Sequence, residues 1–348
     1  MFSKTYKIVN PTVIEEFLEN IEPNENEAIV KIEKLAICKA DIRYYLGLRA
    51  KEVLDKKYPI TPIHEAVGVI IKDPTGKFNK GDRVILVPNL VDESKCSSCL
   101  QTRCQDYAID QNYCPNAKFA SSTSDGFLRQ YVAYNTNFIV KYDSKIESKY
   151  AVFSELLSVA NAATRRASNL INSKEIAIWG DGIMAYMVYI ILNKVLHHNV
   201  TVIGLDKNKL ELFKDATTMT VEEIKNSSKQ FSTIFECVGG KGSESAINAM
   251  IDHSSIGAIL ILMGVSEDLI QINTRKVLEK GICLKGVTRS SVNDFILVSK
   301  YIESEEVIEA IKPLILSITT LKDTSDIYGV FDAEIENKKI IGKNIMEF

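Results

Sequence analysis

The chain has no long basic run, and 42 Lys and Arg against 45 Asp and Glu leave a formal charge of −3. Nucleic-acid binding needs a cationic patch or stripe, so that class is excluded. Nor is any apolar run long enough to cross a bilayer. The longest, GIMAYMVYIIL and IGAILILMGV, read as a buried helix and a buried strand. The opening residues MFSKTYKIVN lack the apolar centre of a secretory leader. Without a leader, seven cysteines point to a reducing compartment, where clustered thiols are metal ligands more often than disulfides. The expectation is a cytoplasmic protein with no membrane or nucleic-acid partner. Internal repeats and low-complexity segments are also missing. The 348 residues have an ordinary soluble composition and allow about two domains.

What is present begins with cysteine. Cys96, Cys99, Cys104 and Cys114 share one polar stretch, KCSSCLQTRCQDYAIDQNYC, with little apolar material to hold it. A CxxC pair chelates one ion from a single turn of backbone, and four thiolates suit a structural Zn²⁺. A second constellation lies upstream. Cys38 ends the strand-like run EAIVKIEKLAIC, and His64-Glu65 follow Pro62. Thiolate, imidazole and carboxylate suit a Zn²⁺ that keeps a position open for chemistry. Taken singly, a buried Cys is usually a small hydrophobe, and a His–Glu pair is often a surface pair. Glu155, in SELLSVANAATRRA, reads by itself as a first-turn helix acid with Ser154 as a cap. Cys237 and Cys283 sit in apolar runs and read as core.

The first part is strand-like. EAIVKIEKLAIC, AVGVIIKD and DRVILVP are β-branched runs broken by Gly, Pro, Asn and Asp. An all-β domain is predicted over 1–150, with the cysteine lobe, about 92–116, as an insertion. From about Lys174 strands alternate with helices: EIAIWG, DGIMAYMVYIILNKVL, VTVIGLD, KNKLELFKDA, FSTIFECVGG, ESAINAMIDH and GAILILMGV. That alternation predicts βαβ units and a parallel sheet over 151–289. Residues 290–348, ending in the strand-like KKIIGKNIMEF, are expected to return to the first domain.

Gly180, Gly182 and Ala185 form G-D-G-I-M-A between a predicted strand and a predicted helix. The first Gly permits the tight turn, and the second lets a pyrophosphate approach the backbone. The small third residue allows close packing, and the helix N-terminus faces the phosphates. Asp206 ends the next strand at the distance expected of the residue that reads the adenosine ribose. A carboxylate there favours NADH over NADPH. Lys207 and Lys209 lie beside it and could offset a 2′-phosphate, although taken alone they read as a solvated helix start.

Together these residues resemble the zinc-containing medium-chain dehydrogenase/reductase family. The resemblance is carried by AICKAD, PITPIHEAVGVI, KGDRVILVP, the cysteine lobe, DGFLRQY, SELLSVANAATRRA, the G-D-G-I-M-A turn, FECVGG and IIGKNIMEF. It implies a GroES-like β-barrel domain plus a Rossmann domain with a doubly wound parallel sheet. It also implies a catalytic zinc surrounded by Cys38, His64, Glu65 and Glu155, and cofactor contacts at Val238 and Gly264. Longer runs, among them ADIRYYLGLRAKEVLDKKYPITPIHEAVG and FECVGGKGSESAINAMID, resemble the ribulose-5-phosphate reductases, which make ribitol 5-phosphate for CDP-ribitol. That group implies NADPH as reductant, opposing the electrostatics of Asp206. It further implies a functional pairing with a ribitol-5-phosphate cytidylyltransferase and a homodimer or homotetramer.

Two further departures stand out. The lobe spacing is looser than the family's. Ala40 replaces the Ser or Thr that relays the proton in many relatives, leaving zinc-bound water, a water held by Glu65 or Glu155, or Tyr45. For a substrate phosphate, the cations at hand are Arg43, Arg49, Lys51 and Arg289; Arg offers a planar fork to phosphate oxygens. Rival readings are a zinc polyol dehydrogenase acting on an unphosphorylated sugar alcohol, and a non-enzymatic nucleotide-binding sensor.

Overall fold

In the computed structural model, which describes residues 1–91, 111–167, 175–337 and 339–348, the chain divides into two units. The first comprises Met1–Ser158, Ser290–Lys338 and Gly342–Phe348. Its centre is strand Glu27–Ala36, whose β-branched residues suit a pleat buried on both sides. The seven-stranded sheet runs in the order Ile315–Thr320, Lys343–Glu347, Glu27–Ala36, Glu65–Lys72, Arg83–Leu86, Ile139–Lys141, with Tyr131–Asn135 also pairing Glu27–Ala36. Strands Glu27–Ala36 and Glu65–Lys72 approach so closely that a Cβ on Gly68 would lie 2.2 Å from the Lys31 carbonyl oxygen. Ile32, Leu35, Phe127 and Phe331 fill the core.

The segment after Cys38 is helical, where the sequence reading placed only strands. Lys39–Tyr45 and Lys51–Leu54 are short helices. Cys38 is the N-cap of the first, and the Asp41 carboxylate returns to accept its backbone N–H at 3.0 Å. An acid three places into a helix supplies that reciprocal bond, a local signal masked by the apolar run before it.

The second unit comprises Val159–Arg289 and Lys339–Ile341. Its six strands lie in the order Thr217–Thr220, Val200–Gly204, Ile176–Trp179, Phe231–Glu236, Ser254–Leu262, Cys283–Gly286, all parallel. The inner strands Ile176–Trp179, Val200–Gly204 and Phe231–Glu236 are buried almost throughout, as a parallel sheet covered on both faces requires, whereas the edge strands Thr217–Thr220 and Cys283–Gly286 are partly exposed. Two elements differ from expectation. Helix Ile183–Tyr189 continues as a π-helix over Ile190–Val195. KNKLELFKDA is helical only over Lys207–Leu210, because Phe213 turns into an aromatic cluster with Tyr186 and Tyr189, with centroids 5.1 and 5.4 Å away. Among the described residues no helix is long and apolar enough to cross a membrane.

Candidate metal centre and dinucleotide turn

Three donors converge in the first unit. Cys38 caps its helix, and Glu65 opens strand Glu65–Lys72 opposite Ala36. His64 precedes Glu65, after Ile63 in the left-handed region at φ 74°. Asp41 ties the two loops together, since its carboxylate also accepts the Ile63 N–H at 3.0 Å. The ligand atoms of Cys38, His64 and Glu65 all lie within 4.8 Å of one another. His64 Nδ1 lies 2.9 Å from the Ser121 hydroxyl and 3.5 Å from Asp41 Oδ2. Those partners occupy Nδ1 and leave Nε2 as the nitrogen available to a metal, the usual way an outer carboxylate fixes a ligating imidazole.

Glu65 provides the test of fit. Its Oε1 accepts from the Lys343 ammonium at 2.8 Å, while Oε2 is buried with no hydrogen-bond partner. An orphaned carboxylate oxygen costs its full desolvation unless a cation takes the place of a donor. A thiol, an imidazole nitrogen and this oxygen form a donor set suited to Zn²⁺.

The electrostatics bind these groups into one network. Burial alone would lower the His64 pKa, but the Asp41 and Cys38 charges outweigh it and hold it well above its ordinary value. Burial would raise Asp41, yet His64 and the two backbone N–H groups keep it low. Burial pushes Glu65 up against the pull of Lys343. Glu155, 6% exposed in the first turn of helix Ser154–Arg166, is pushed up to about 7, by burial first and then by the Glu65 and Asp41 charges. It feels the cluster electrostatically but does not belong to the three-donor group. Lys343 and Asp41 escaped the sequence reading. The signal for Lys343 was a charge in a strand buried from end to end, where a lysine requires a partner.

Other predicted positions fall elsewhere. Tyr45, read as a proton relay, packs in the core against Phe331 at 4.6 Å between centroids, and burial raises its pKa. A packing role rather than a relay fits that position. Arg43 and Arg49 are half-buried and Lys51 is exposed in the helical segment after Cys38. Arg289 lies in the second unit at φ 58°, and burial lowers its guanidinium. Cys96, Cys99 and Cys104 lie outside the described residues; Cys114 is buried beside Val91.

In the second unit, Gly180 has φ 135°, and a Cβ there would lie 3.0 Å from the Cys237 carbonyl, so turn and close approach both require glycine. Gly182 caps helix Ile183–Tyr189 and opens onto free space, as a phosphate-approach position needs. Ala185 is fully buried. Asp181 Oδ2 accepts the Leu205 and Asp206 N–H groups at 2.6 and 2.8 Å, locking the turn to the next strand's end. Asp206 caps the following short helix through the Asn208 N–H, and Lys207 pairs with Glu223 at 3.6 Å. Glu236, another residue missed in the sequence, is fully buried. It accepts from Val238, Gly239 and Gly264 at 2.9, 3.0 and 2.7 Å, clipping together the loops after two adjacent strands.

Residues 24–144 match the family model described as the alcohol dehydrogenase GroES-like domain. The chain is 33% identical to Ribulose-5-phosphate reductase 1 of Staphylococcus aureus, over 100% of this chain and 99% of that protein. It is 34% identical to the ribulose-5-phosphate reductase of Streptococcus pneumoniae, over 96% and 95%. A solved structure of S. aureus TarJ in complex with NADPH matches with a TM-score of 0.85 at 31% identity, covering 100% of this chain and 99% of that one. With a GroES-like β unit, a Rossmann-type parallel sheet and full-length likeness of this degree, the chain belongs to the zinc-containing medium-chain dehydrogenase/reductase family, in the group of the ribulose-5-phosphate reductases.

Proposed function

We propose that the protein reduces D-ribulose 5-phosphate at C2 to D-ribitol 5-phosphate, using NADPH and a catalytic zinc. The observation that carries this reading is the likeness to ribulose-5-phosphate reductases along the whole of both chains. When bound, zinc supplies Lewis acidity to a ketone oxygen and NADPH supplies the reducing equivalent.

The chain's own residues do the rest. Cys38, His64 and Glu65 hold the metal. Asp41 and Ser121 fix the His64 ring, and Lys343 restrains Glu65 so that one oxygen is free. Glu155 is the proton carrier. Ala40 has no hydroxyl to relay with, and a carboxyl near pKa 7 can hold a proton and release it at neutral pH. Gly180, Gly182, Ala185, Val238 and Gly264 border the dinucleotide. Asp206 serves as a helix cap, which lessens its weight as a selector of NADH. Arg43, Arg49, Lys51 and Arg289 are the candidate partners of the sugar phosphate. Cys96, Cys99, Cys104 and Cys114 hold a second, structural zinc. On this reading the enzyme acts in the cytoplasm as a homo-oligomer, and its product passes to a ribitol-5-phosphate cytidylyltransferase.

Purified protein assayed by loss of NADPH and NADH absorbance against ketose phosphates and free ketoses tests this directly. Preferential turnover of ribulose 5-phosphate with NADPH is expected. Faster turnover of unphosphorylated sugars would favour a polyol dehydrogenase, and the absence of metal at Cys38, His64 and Glu65 would favour a sensor.

A further inference from the structure

NADPH and NADH differ only at the adenosine ribose, where one bears a 2′-phosphate and the other a hydroxyl. The end of the strand after the dinucleotide turn is the place from which side chains read that ribose. Here it is fixed to the turn itself. Asp181, inside G-D-G, accepts the Leu205 and Asp206 N–H groups at 2.6 and 2.8 Å, and a Cβ on Gly204 would lie 2.7 Å from the Asp181 Cβ. Residues 205–207 therefore stand beside the backbone that takes the pyrophosphate. An open cavity of about 500 Å³ adjoins them, lined by Leu205, Lys207, Thr220, Glu222 and Glu223 among others.

The charges on that cavity are one ammonium and two carboxylates, Lys207 against Glu222 and Glu223. Asp206 is turned onto its own helix, where it accepts the Asn208 N–H at 2.9 Å. Lys207 Nζ lies 3.6 Å from Glu223 Oε1, with side chains 76% and 52% exposed. An ion pair this exposed is weak and screened by salt, so a stronger anion exchanges it readily. The two partners differ in freedom. Glu223 Oε2 accepts the Thr220 N–H at 2.7 Å, and the Glu223 N–H donates to the Thr220 hydroxyl at 3.1 Å, a reciprocal capping box. The carboxylate is held in place, while the lysine swings on a flexible four-carbon stem.

We infer that Glu223 sets the preference between NADPH and NADH by competing with the 2′-phosphate for the Lys207 ammonium, an inference that rests on the NADPH-dependent reductase reading above. A phosphate monoester brings about two negative charges at neutral pH and draws Lys207 away from the carboxylate. A ribose hydroxyl leaves the pair as it stands. Glu223 thus withholds part of the advantage that Lys207 gives to NADPH.

The test titrates the wild type, Glu223→Gln, Lys207→Met, the double variant and Glu222→Gln with NADPH and with NADH by calorimetry. No sugar is present, so a protein that failed to reduce ribulose 5-phosphate would still answer. A glutamine at 223 retains the capping bonds and loses the charge. In Glu223→Gln the Kd for NADH divided by that for NADPH is expected to rise on the order of 3- to 10-fold, the scale of one exposed charge contact. In Lys207→Met it falls, and adding Glu223→Gln to Lys207→Met changes nothing further. Glu222→Gln removes the same charge from the same cavity, leaves the ion pair in place and stays near the wild-type ratio. The rise in Glu223→Gln fades at about 1 M salt, where the Debye length is about 3 Å. A ratio unmoved by Glu223→Gln, an equal rise in Glu222→Gln, or a rise that persists without Lys207 or at high salt overturns the inference. If the wild type binds neither dinucleotide, the cofactor reading fails and the pair is judged by adenosine 2′-monophosphate. Tighter binding in Glu223→Gln than in the other forms then supports it, and equal binding by all forms, or none, overturns it.

Discussion

At the scale of single residues, the metal centre is a problem in charge. Cys38 as thiolate, Glu65 and Asp41 bring three negative charges, and Lys343 one positive. A divalent zinc makes the set neutral when Glu155 carries its proton and His64 is the neutral imidazole that a metal requires. Without metal, Lys343 is the main compensation for Glu65. Lys343→Met is expected to destabilise the metal-free protein by about 3–5 kcal/mol in urea titration, the cost of leaving a buried charge without its partner. The same variant should bind zinc on the order of 10- to 100-fold more weakly, read by competition with a chelator. Glu155 gives a pH test in metal-free protein. Its folded pKa is raised, so the folded state holds the proton more tightly than the unfolded chain. The contribution is stabilising at low pH and is lost as pH rises from about 4.5 to about 7. Glu155→Gln should flatten that part of the stability curve, and an unaltered slope would show that the carboxyl is not buried as described.

At the scale of elements, loops rather than strands set both sites. Glu236 holds two loops by three backbone bonds. Glu236→Ala strands buried donors and is expected to cost on the order of 3 kcal/mol, with a raised KM for NADPH and little change in that for the sugar. Gly264→Ala places a methyl 2.4 Å from the Gly239 nitrogen and 2.5 Å from the Glu236 carboxylate, so it should perturb the same loops by about 1–3 kcal/mol, measured by thermal melting. Strands such as Glu65–Lys72 and Val200–Gly204 were legible as β-branched runs ended by Asp or Gly, whereas Phe2–Asn10, Val13–Asn20 and Thr217–Thr220, rich in polar residues, were not. The G-D-G turn was legible because its neighbours declare a strand and a helix. The helices after Cys38 were not, since an apolar strand runs straight into them and only Asp41 marks the boundary. The helix at Lys207 was overestimated because amphipathic spacing continues past the point where Phe213 turns into the core.

At the scale of the whole molecule, each unit has its own core, and the one tryptophan, Trp179, ends the strand before the dinucleotide turn. Its fluorescence therefore follows the second unit. NADPH at about 100 times its Kd should stabilise the transition seen by Trp179 by about 2.7 kcal/mol, and no shift would argue against dinucleotide binding. The donors Cys38, His64 and Glu65 could be read from sequence because they crowd into short turns near one another. Their supports could not, because a buried charge finds its partner through tertiary pairing, and Lys343 lies 278 residues from Glu65. That distance has a consequence during synthesis. A ribosome that has made every zinc donor of this centre has not yet made the ammonium that neutralises one of them. Until residue 343 is translated, the Glu65 carboxylate of a nascent chain is without its protein counterion.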